Sequence, residues 1–307
     1  MAVHPVSFFE DITPAAVLSA YKRAAQDHAD VRAMEYMLGW PGVLQWWLAV
    51  VAPSVRKLRR LLPPFPPDRL REITAEPELP LFLWTGLIDT QLVMRLFDEH
   101  RSDPRQEPVR VLDFGCGCGR MTRHLAMRPE KWRVYGCEVN PEHVAWCQRH
   151  LPNVQTSRVP EAPPTGYADA QFDLIFCFSV FTHLPEVRAG QWLHEFARIL
   201  APDGIFIMTT HGVPALQTIR RSQAHQQMFG MTSDVAAEVL QHFERDPYRF
   251  FPYPVGVLER ARAGNDYGST FIHPNYIHKE WGRRLTIRQH LPGGMRGWQD
   301  VVVMSAR

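Results

Sequence analysis

The apolar run Val109-Arg110-Val111-Leu112-Asp113-Phe114 empties into Gly115-Cys116-Gly117-Cys118-Gly119, and a helix-compatible stretch begins at Arg120. A strand that ends in alternating glycines and turns into a helix opens a βαβ unit, which commits a chain to a parallel sheet. Glycines at such a turn accept positive φ and let the main chain approach a ligand without Cβ clashes. In open sheets of this kind, ligands lie at the carboxyl ends of the strands.

The pattern repeats downstream. Trp132–Glu138, Phe172–Phe178 and Gly204–Thr210 read as further buried strands, with helices expected over Arg120–Met127, Glu142–His150 and Arg188–Leu200. Asn153–Ser157 is a weaker strand candidate, and Leu285–Gln289 and Gln299–Met304 are two late ones. Residues 1–108 read instead as a helical cap region, with helices over Pro14–His28, Val43–Leu62 and Leu81–His100. The stiff Pro63-Pro64-Phe65-Pro66-Pro67 turn separates the last two, since no helix crosses it. The zones are therefore 1–108, a core over 109–210, a lid or substrate insertion over 211–283, and strands over 284–307 that complete the sheet.

Composition excludes several classes. The chain has 34 basic and 32 acidic residues for a net charge of +2, so nothing pulls it towards nucleic acid or an anionic membrane. Five cysteines without a CxxC pair argue against a zinc site or disulfide framework and for a reduced cytoplasm. The apolar Met37–Pro53 segment is broken at Pro41-Gly42 and is too short to span a bilayer. No secretory leader is expected, and the oligomeric state stays open.

Two cofactors compete for the glycine loop. A dinucleotide fingerprint needs a glycine where Arg120 stands, and Asp113 would repel a pyrophosphate. S-adenosylmethionine carries a sulfonium and an ammonium, both favoured by an acidic strand end. Glu138, at the end of the next strand, suits the two hydroxyls of a ribose.

At this point the sequence resembles the class I S-adenosylmethionine-dependent methyltransferases. Asp113 to Gly119 looks like their first motif and Glu138 like their ribose acid. Gln171–Ile175 with Phe178–Leu184 resembles the fourth strand and its turn, and Leu200–Met208 resembles the “LKPGG” turn into the fifth. The tail, Tyr267–Phe271 and Trp298–Val302, is similar more loosely. The resemblance implies a Rossmann-like, doubly wound α/β sheet of seven strands, the last antiparallel and inserted beside the strand from Gly204. It implies a cofactor set of Asp113, Gly115, Cys116, Gly117, Gly119, Glu138, Val139, Val159, Phe178 and Ser179, with Trp84 and Gly86 closing from the preceding helix. One departure stands out: Ser157–Pro164 offers no clear acid for the adenine amino group.

Methyl transfer needs alignment, exclusion of water and sometimes a base. His183 and His211, each after a strand end, are the candidate bases, and either could instead pack or cap a helix. His273 and His278 read as solvated. No Asn-Pro-Pro-Tyr follows the fourth strand, as nucleic-acid aminomethylation would require, and no Asp sits there to seat magnesium. The implied function is metal-independent methylation of an oxygen, ahead of a nitrogen, on a small metabolite or saccharide. The competing reading is a non-catalytic cofactor-binding module with a protein partner. Aromatic residues of the insertion, from Tyr248 to Trp281, could line an acceptor site or form the insertion's own core.

Overall fold

The computed structural model describes residues 63–73, 78–103, 108–254 and 266–307. The expected helices Pro14–His28 and Val43–Leu62, and the Met37–Pro53 segment, lie outside the described residues. Pro63–Pro67 forms no helix and leads into α1 (Asp68–Ile73); the third expected helix is α2 (Leu79–His100).

Parallel strands β1 (Val109–Phe114), β2 (Trp132–Glu138), β3 (Val154–Arg158), β4 (Phe172–Cys177) and β5 (Leu200–Thr210) follow. Between them come α3 (Thr122–Leu125), α4 (Pro141–His150) and α5 (Glu186–Ile199). After β5 come α6 (Val213–Arg221), α7 (Gln223–Phe229), α8 (Ser233–His242), β6 (Tyr248–Pro252), β7 (Gly268–Ile272) and α9 (Pro274–Glu280). The chain closes with β8 (Thr286–Met295) and β9 (Gln299–Ser305).

Among the described residues the main sheet has seven strands in the order β3-β2-β1-β4-β5-β9-β8. β9 runs antiparallel between β5 and β8, with Thr210 opposite Asp300 and Ile205 opposite Ser305. This is the expected doubly wound α/β sheet, with the switch point between β1 and β4. Both faces are covered, which is why the central strands read as continuous apolar runs rather than alternating ones. Phe114, Ile175, Phe206 and Met304 pack on one face with Trp192 and Phe196 of α5. Val111, Phe176, Ile207 and Val303 pack on the other with Val93, Leu96 and Phe97 of α2.

Three local expectations need correction. The helix expected over 120–127 shrinks to Thr122–Leu125, and Arg120, ahead of it, anchors the loop to α2 through a 2.6 Å ion pair with Asp89. β5 starts at Leu200, which pairs with Phe172 across a bulge, rather than at Gly204. Pro292-Gly293-Gly294, whose composition predicts the turn between the two late strands, lies inside β8 at a register shift, and the reversal into β9 falls at Arg296 and Gly297, both at positive φ.

The insertion is more regular than its composition implied. β6 and β7 form a separate antiparallel pair, and α6 and α8 share a small core of Leu216, Ile219, Val239 and Phe271. No described helix is long and apolar enough to cross a membrane.

Candidate active site

The first wall of the site is the loop between β1 and α3. Gly115, Gly117 and Gly119 all take positive φ (77°, 53° and 84°), a region that L side chains rarely enter. A Cβ at Gly115 would also meet Val180 Cγ2 at 2.5 Å, so the β4 turn packs directly on the loop. The loop is stitched to β2 by backbone bonds from Gly115 and Cys116 to the Cys137 carbonyl. Cys116, Cys118 and Cys147 turn inward, fully buried, and Cys116 and Cys147 both donate to the Gly117 carbonyl. The hydrogen bond with Cys147 and then burial hold the Cys116 thiol protonated, and burial does the same for Cys137 and Cys177, so all three support the loop as small apolar groups.

Glu138 closes the loop from β2. Its Oε2 accepts from Gly117 N at 3.0 Å, and its Oε1 from Val139 N at 2.8 Å and Asn140 N at 3.0 Å. A carboxylate offers about four lone-pair positions, so Oε1 is filled and Oε2 keeps one for a ligand. A cavity of about 560 Å³ opens beside it, lined by Val139, Pro141, Arg158, Val159, Pro160 and Glu161. Its lining includes Glu161 from the segment that departs from the family pattern.

Asp113, at the end of β1, is buried and takes a hydrogen bond from the Thr122 hydroxyl. Burial pushes its pKa up to about 7, against the lowering effects of Thr122 and Arg120. A buried carboxyl poised in this way fits a cationic ligand group, and Glu138 beside an open cavity fits a ribose. The residues present therefore suit S-adenosylmethionine.

Trp84 and Gly86 were expected to close over the cofactor. Gly86 instead packs against the loop itself: a Cβ there would run into the Arg120 carbonyl. Thr90 reaches from the same helix to Met121 O. Trp84 is half-buried on α2.

The second wall lies at the ends of β4 and β5. Ser179 follows Phe178 with φ of 57°, a strained conformation for a residue with a side chain. Thr209 Oγ1 accepts from its N–H, and its Oγ lies 3.2 Å from Oε1 and 3.1 Å from Nε2 of Gln299. The same amide nitrogen donates to His211 Nε2 at 3.4 Å. His211 Nδ1 donates to the Thr270 carbonyl. Rings of Phe229, Phe271 and Trp298 surround it at 5.3, 5.5 and 4.9 Å. Burial, with His183 nearby, drives its pKa down to about 3.

Gln299 was not foreseen. A lone Gln opening a strand gives no signal until β9 is placed between β5 and β8.

His183 ends a 3-10 turn (Phe181–His183) and is half-buried. Its Nδ1 contacts Gly268 O at 3.0 Å and the Tyr253 hydroxyl at 2.9 Å, while Tyr267 stacks on the ring. Thr270 Oγ1 and Tyr248 OH both donate to Leu184 O, and Ile272 N to His211 O, so the β6–β7 pair is sewn onto both strand ends. His273, expected to be solvated, is half-buried and caps α9, whereas His278 is exposed and its ring stacks on His290. No group of three or more His, Cys, Asp or Glu side chains among the described residues could hold a metal ion.

Comparisons with known proteins agree with this geometry. Residues 111–204 match the family described as Methyltransferase domain. The malonyl-[acyl-carrier protein] O-methyltransferase of Halorhodospira halophila is 28% identical over 221 residues, covering 69% of each chain. A probable chloroplastic tocopherol O-methyltransferase of Oryza sativa subsp. japonica is 29% identical over 35% of this chain and 30% of its own. The trans-aconitate 2-methyltransferase of Methylobacterium nodulans is 34% identical over 33% of this chain and 38% of its own. With its sheet order, its acidic glycine loop and these matches, the chain has the fold and carries the matched domain of S-adenosylmethionine-dependent methyltransferases.

Proposed function

We propose that the protein transfers the methyl group to an oxygen, ahead of a nitrogen, of a small acceptor held between the β4 turn and the β6–β7 pair. The bound cofactor supplies a methyl activated on a sulfonium. The chain's own residues align the acceptor, keep water out and take its proton. Asp113 faces the cationic end, Gly115 to Gly119 cradle the main chain side, and Glu138 with Val139 and Val159 holds the nucleoside end. Relatives whose names specify O-methylation support the oxygen.

The observation that carries the reading is His183. Its Nδ1 is occupied, its Nε2 has no partner among the described residues, and burial lowers its pKa below the ordinary histidine value. A neutral imidazole with a bare nitrogen at a strand's carboxyl end is equipped to accept a proton. His211 is the weaker base, since a group with a pKa of about 3 binds a proton poorly and its Nε2 already accepts from Gln299. Phe178 and Ser179 stand where a metal-seating Asp would be needed, which supports chemistry without a metal.

The test is calorimetry with S-adenosylhomocysteine, then transfer of label from tritiated S-adenosylmethionine into a small-molecule extract. His183→Ala should lower turnover by roughly 10²–10⁴-fold with cofactor affinity unchanged. A loss below about threefold would reject the base, and no binding by the unmutated protein would sink the whole reading.

A further inference from the structure

Arg120 stands where a dinucleotide binder needs a glycine, and anchoring the loop occupies only part of its guanidinium. Nη1 donates to Asp89 Oδ2 at 2.6 Å. Nε and Nη2 have no partner among the described residues, and neither atom is sealed off, although the side chain is only 12% exposed. The N–H bonds of these two atoms run parallel and match the two oxygens of a carboxylate. Arg110 uses the same two atoms on Asp173, at 3.0 and 2.5 Å. Asp89 also meets Arg296 Nε at 3.5 Å, so one carboxylate is divided between two cations. Arg120 is held in place without being fully neutralised.

Its seat is built by α2 and the glycine loop together. A Cβ at Gly86 would run into the Arg120 carbonyl and lie 3.1 Å from its Cγ, and Asp89 follows within one turn of the same helix. The guanidinium lies close enough to Asp113 to lower the pKa of that carboxyl, yet it does not bond to it: Asp113 takes its hydrogen bond from Thr122. A cation and an anion held near each other but not joined suit a ligand that carries both charges.

We infer that Arg120 receives the carboxylate of the cofactor's amino-acid end on Nε and Nη2 while Asp113 receives the ammonium, so that the protein selects the zwitterion and rejects a cofactor without the carboxylate. This deepens the cofactor reading above and rests on it. The carboxylate and the ammonium hang from one carbon, so their receivers must be neighbours. Arg120 and Asp113 bracket a single loop, seven positions apart (120 − 113). A neutral side chain at 120 would leave the carboxylate to give up its water in a largely buried site without a charged partner.

Calorimetry with two probes tests the assignment: S-adenosylhomocysteine, and its decarboxylated analogue, which keeps the nucleoside, the sulfur and the amine. At pH 7.5 the unmutated protein should bind the intact molecule roughly 10–100-fold more tightly, the worth of a charge-assisted pair. Arg120→Met should bring the two affinities within about threefold of each other, less than one hydrogen bond is worth. The ratio is the readout, because losing Arg120 also lifts the pKa of Asp113 and so weakens both probes alike. Arg120→Met strips Asp89 of its nearer cation, so the double variant with Asp89→Asn, which removes the buried anion as well, guards against misfolding and should lose discrimination equally. Weakening of both probes by the same factor in these variants would assign Arg120 to anchoring alone and overturn the proposal. Equal binding of the two probes by the unmutated protein would overturn it too, while leaving the cofactor reading intact. Binding of neither probe would overturn the cofactor reading, and this proposal with it.

Discussion

Lowering the pH should weaken cofactor binding through Asp113 alone. This carboxyl is buried at the end of β1 with a pKa near about 7, raised by burial and by Glu138 against the lowering effects of Thr122 and Arg120. If only the ionised form receives a cation, apparent affinity scales with the ionised fraction. That fraction falls from roughly three-quarters at pH 7.5 to roughly one-eleventh at pH 6, so S-adenosylhomocysteine should bind about eightfold more weakly at the lower pH. The window stops near pH 7.5 because an α-amino group itself titrates near about 8.

Isothermal titration in two buffers of different ionisation enthalpy should show proton release on binding that grows as the pH falls below 7. Asp113→Asn should abolish both the release and the slope, leaving uniformly weak binding. Stability should move the other way. A carboxyl whose folded pKa lies above its ordinary 3.8 contributes a penalty that grows as pH rises from about 4 to about 7, on the order of 4 kcal/mol in total. The Asn variant should therefore melt above the unmutated protein at pH 7.5 while binding worse. Affinity that is flat or tighter at pH 6, a slope that survives in Asp113→Asn, or a variant that melts lower would each refute the reasoning.

Other substitutions separate the remaining roles. Glu138→Ala strips the partner from three backbone N–H groups, Gly117, Val139 and Asn140, and should cost about 2 kcal/mol or more in a thermal melt as well as cofactor binding. Gly86→Ala gains about 1 kcal/mol of helix propensity but drives a Cβ into the Arg120 carbonyl, so a lower melting temperature and looser cofactor binding are expected. His211→Phe should destabilise by about 1–3 kcal/mol through the orphaned Gln299 and Thr270 groups. It should leave the pH profile of turnover unchanged from pH 5 to 8, because His211 titrates near about 3. His183→Gln should instead remove the acid limb, where activity falls as the pH drops through the lowered pKa of His183.

What the sequence disclosed and what it withheld divide along contact range. β1, its glycine loop and Glu138 were legible because strand, turn and helix are consecutive, and the apolar runs mark strands buried on both faces. The antiparallel β9 came from family resemblance and is where it was expected. The β6–β7 pair was not legible, since Tyr248–Pro252 carries a proline and no clean alternation, and its partner lies beyond a long connection. Gly86 was flagged correctly as a close contact, but the partner turned out to be the Arg120 backbone, 34 positions away in sequence (120 − 86). Gln299 and the Tyr253–His183 contact join residues separated by 70 positions or more, and no local pattern encodes such meetings.

The same division appears in the electrostatics of the site. The cofactor side is acidic, with Asp113 and Glu138 at the ends of β1 and β2. At the ends of β4 and β5, Ser179, Gln299, Tyr253 and Ser269 are uncharged, and burial favours the neutral forms of His183 and His211. Asp300, opposite Thr210 at the end of β5, is itself engaged by His290 Nε2 and Gly293 N. The Gly268 and Thr270 carbonyls fix the direction of the histidine bonds, because a carbonyl can only accept. The β6–β7 pair supplies both carbonyls, Gly268 and Thr270, so its seating decides the tautomer of both histidines. Loosening β7 should therefore disturb proton transfer before it disturbs cofactor binding, which depends on β1, β2 and α2. Thr270→Val, which removes the hydroxyl tying β7 to Leu184 O, isolates that step. S-adenosylhomocysteine affinity should hold while turnover drops, and a parallel fall in both would show that the two sides of the site are not separable.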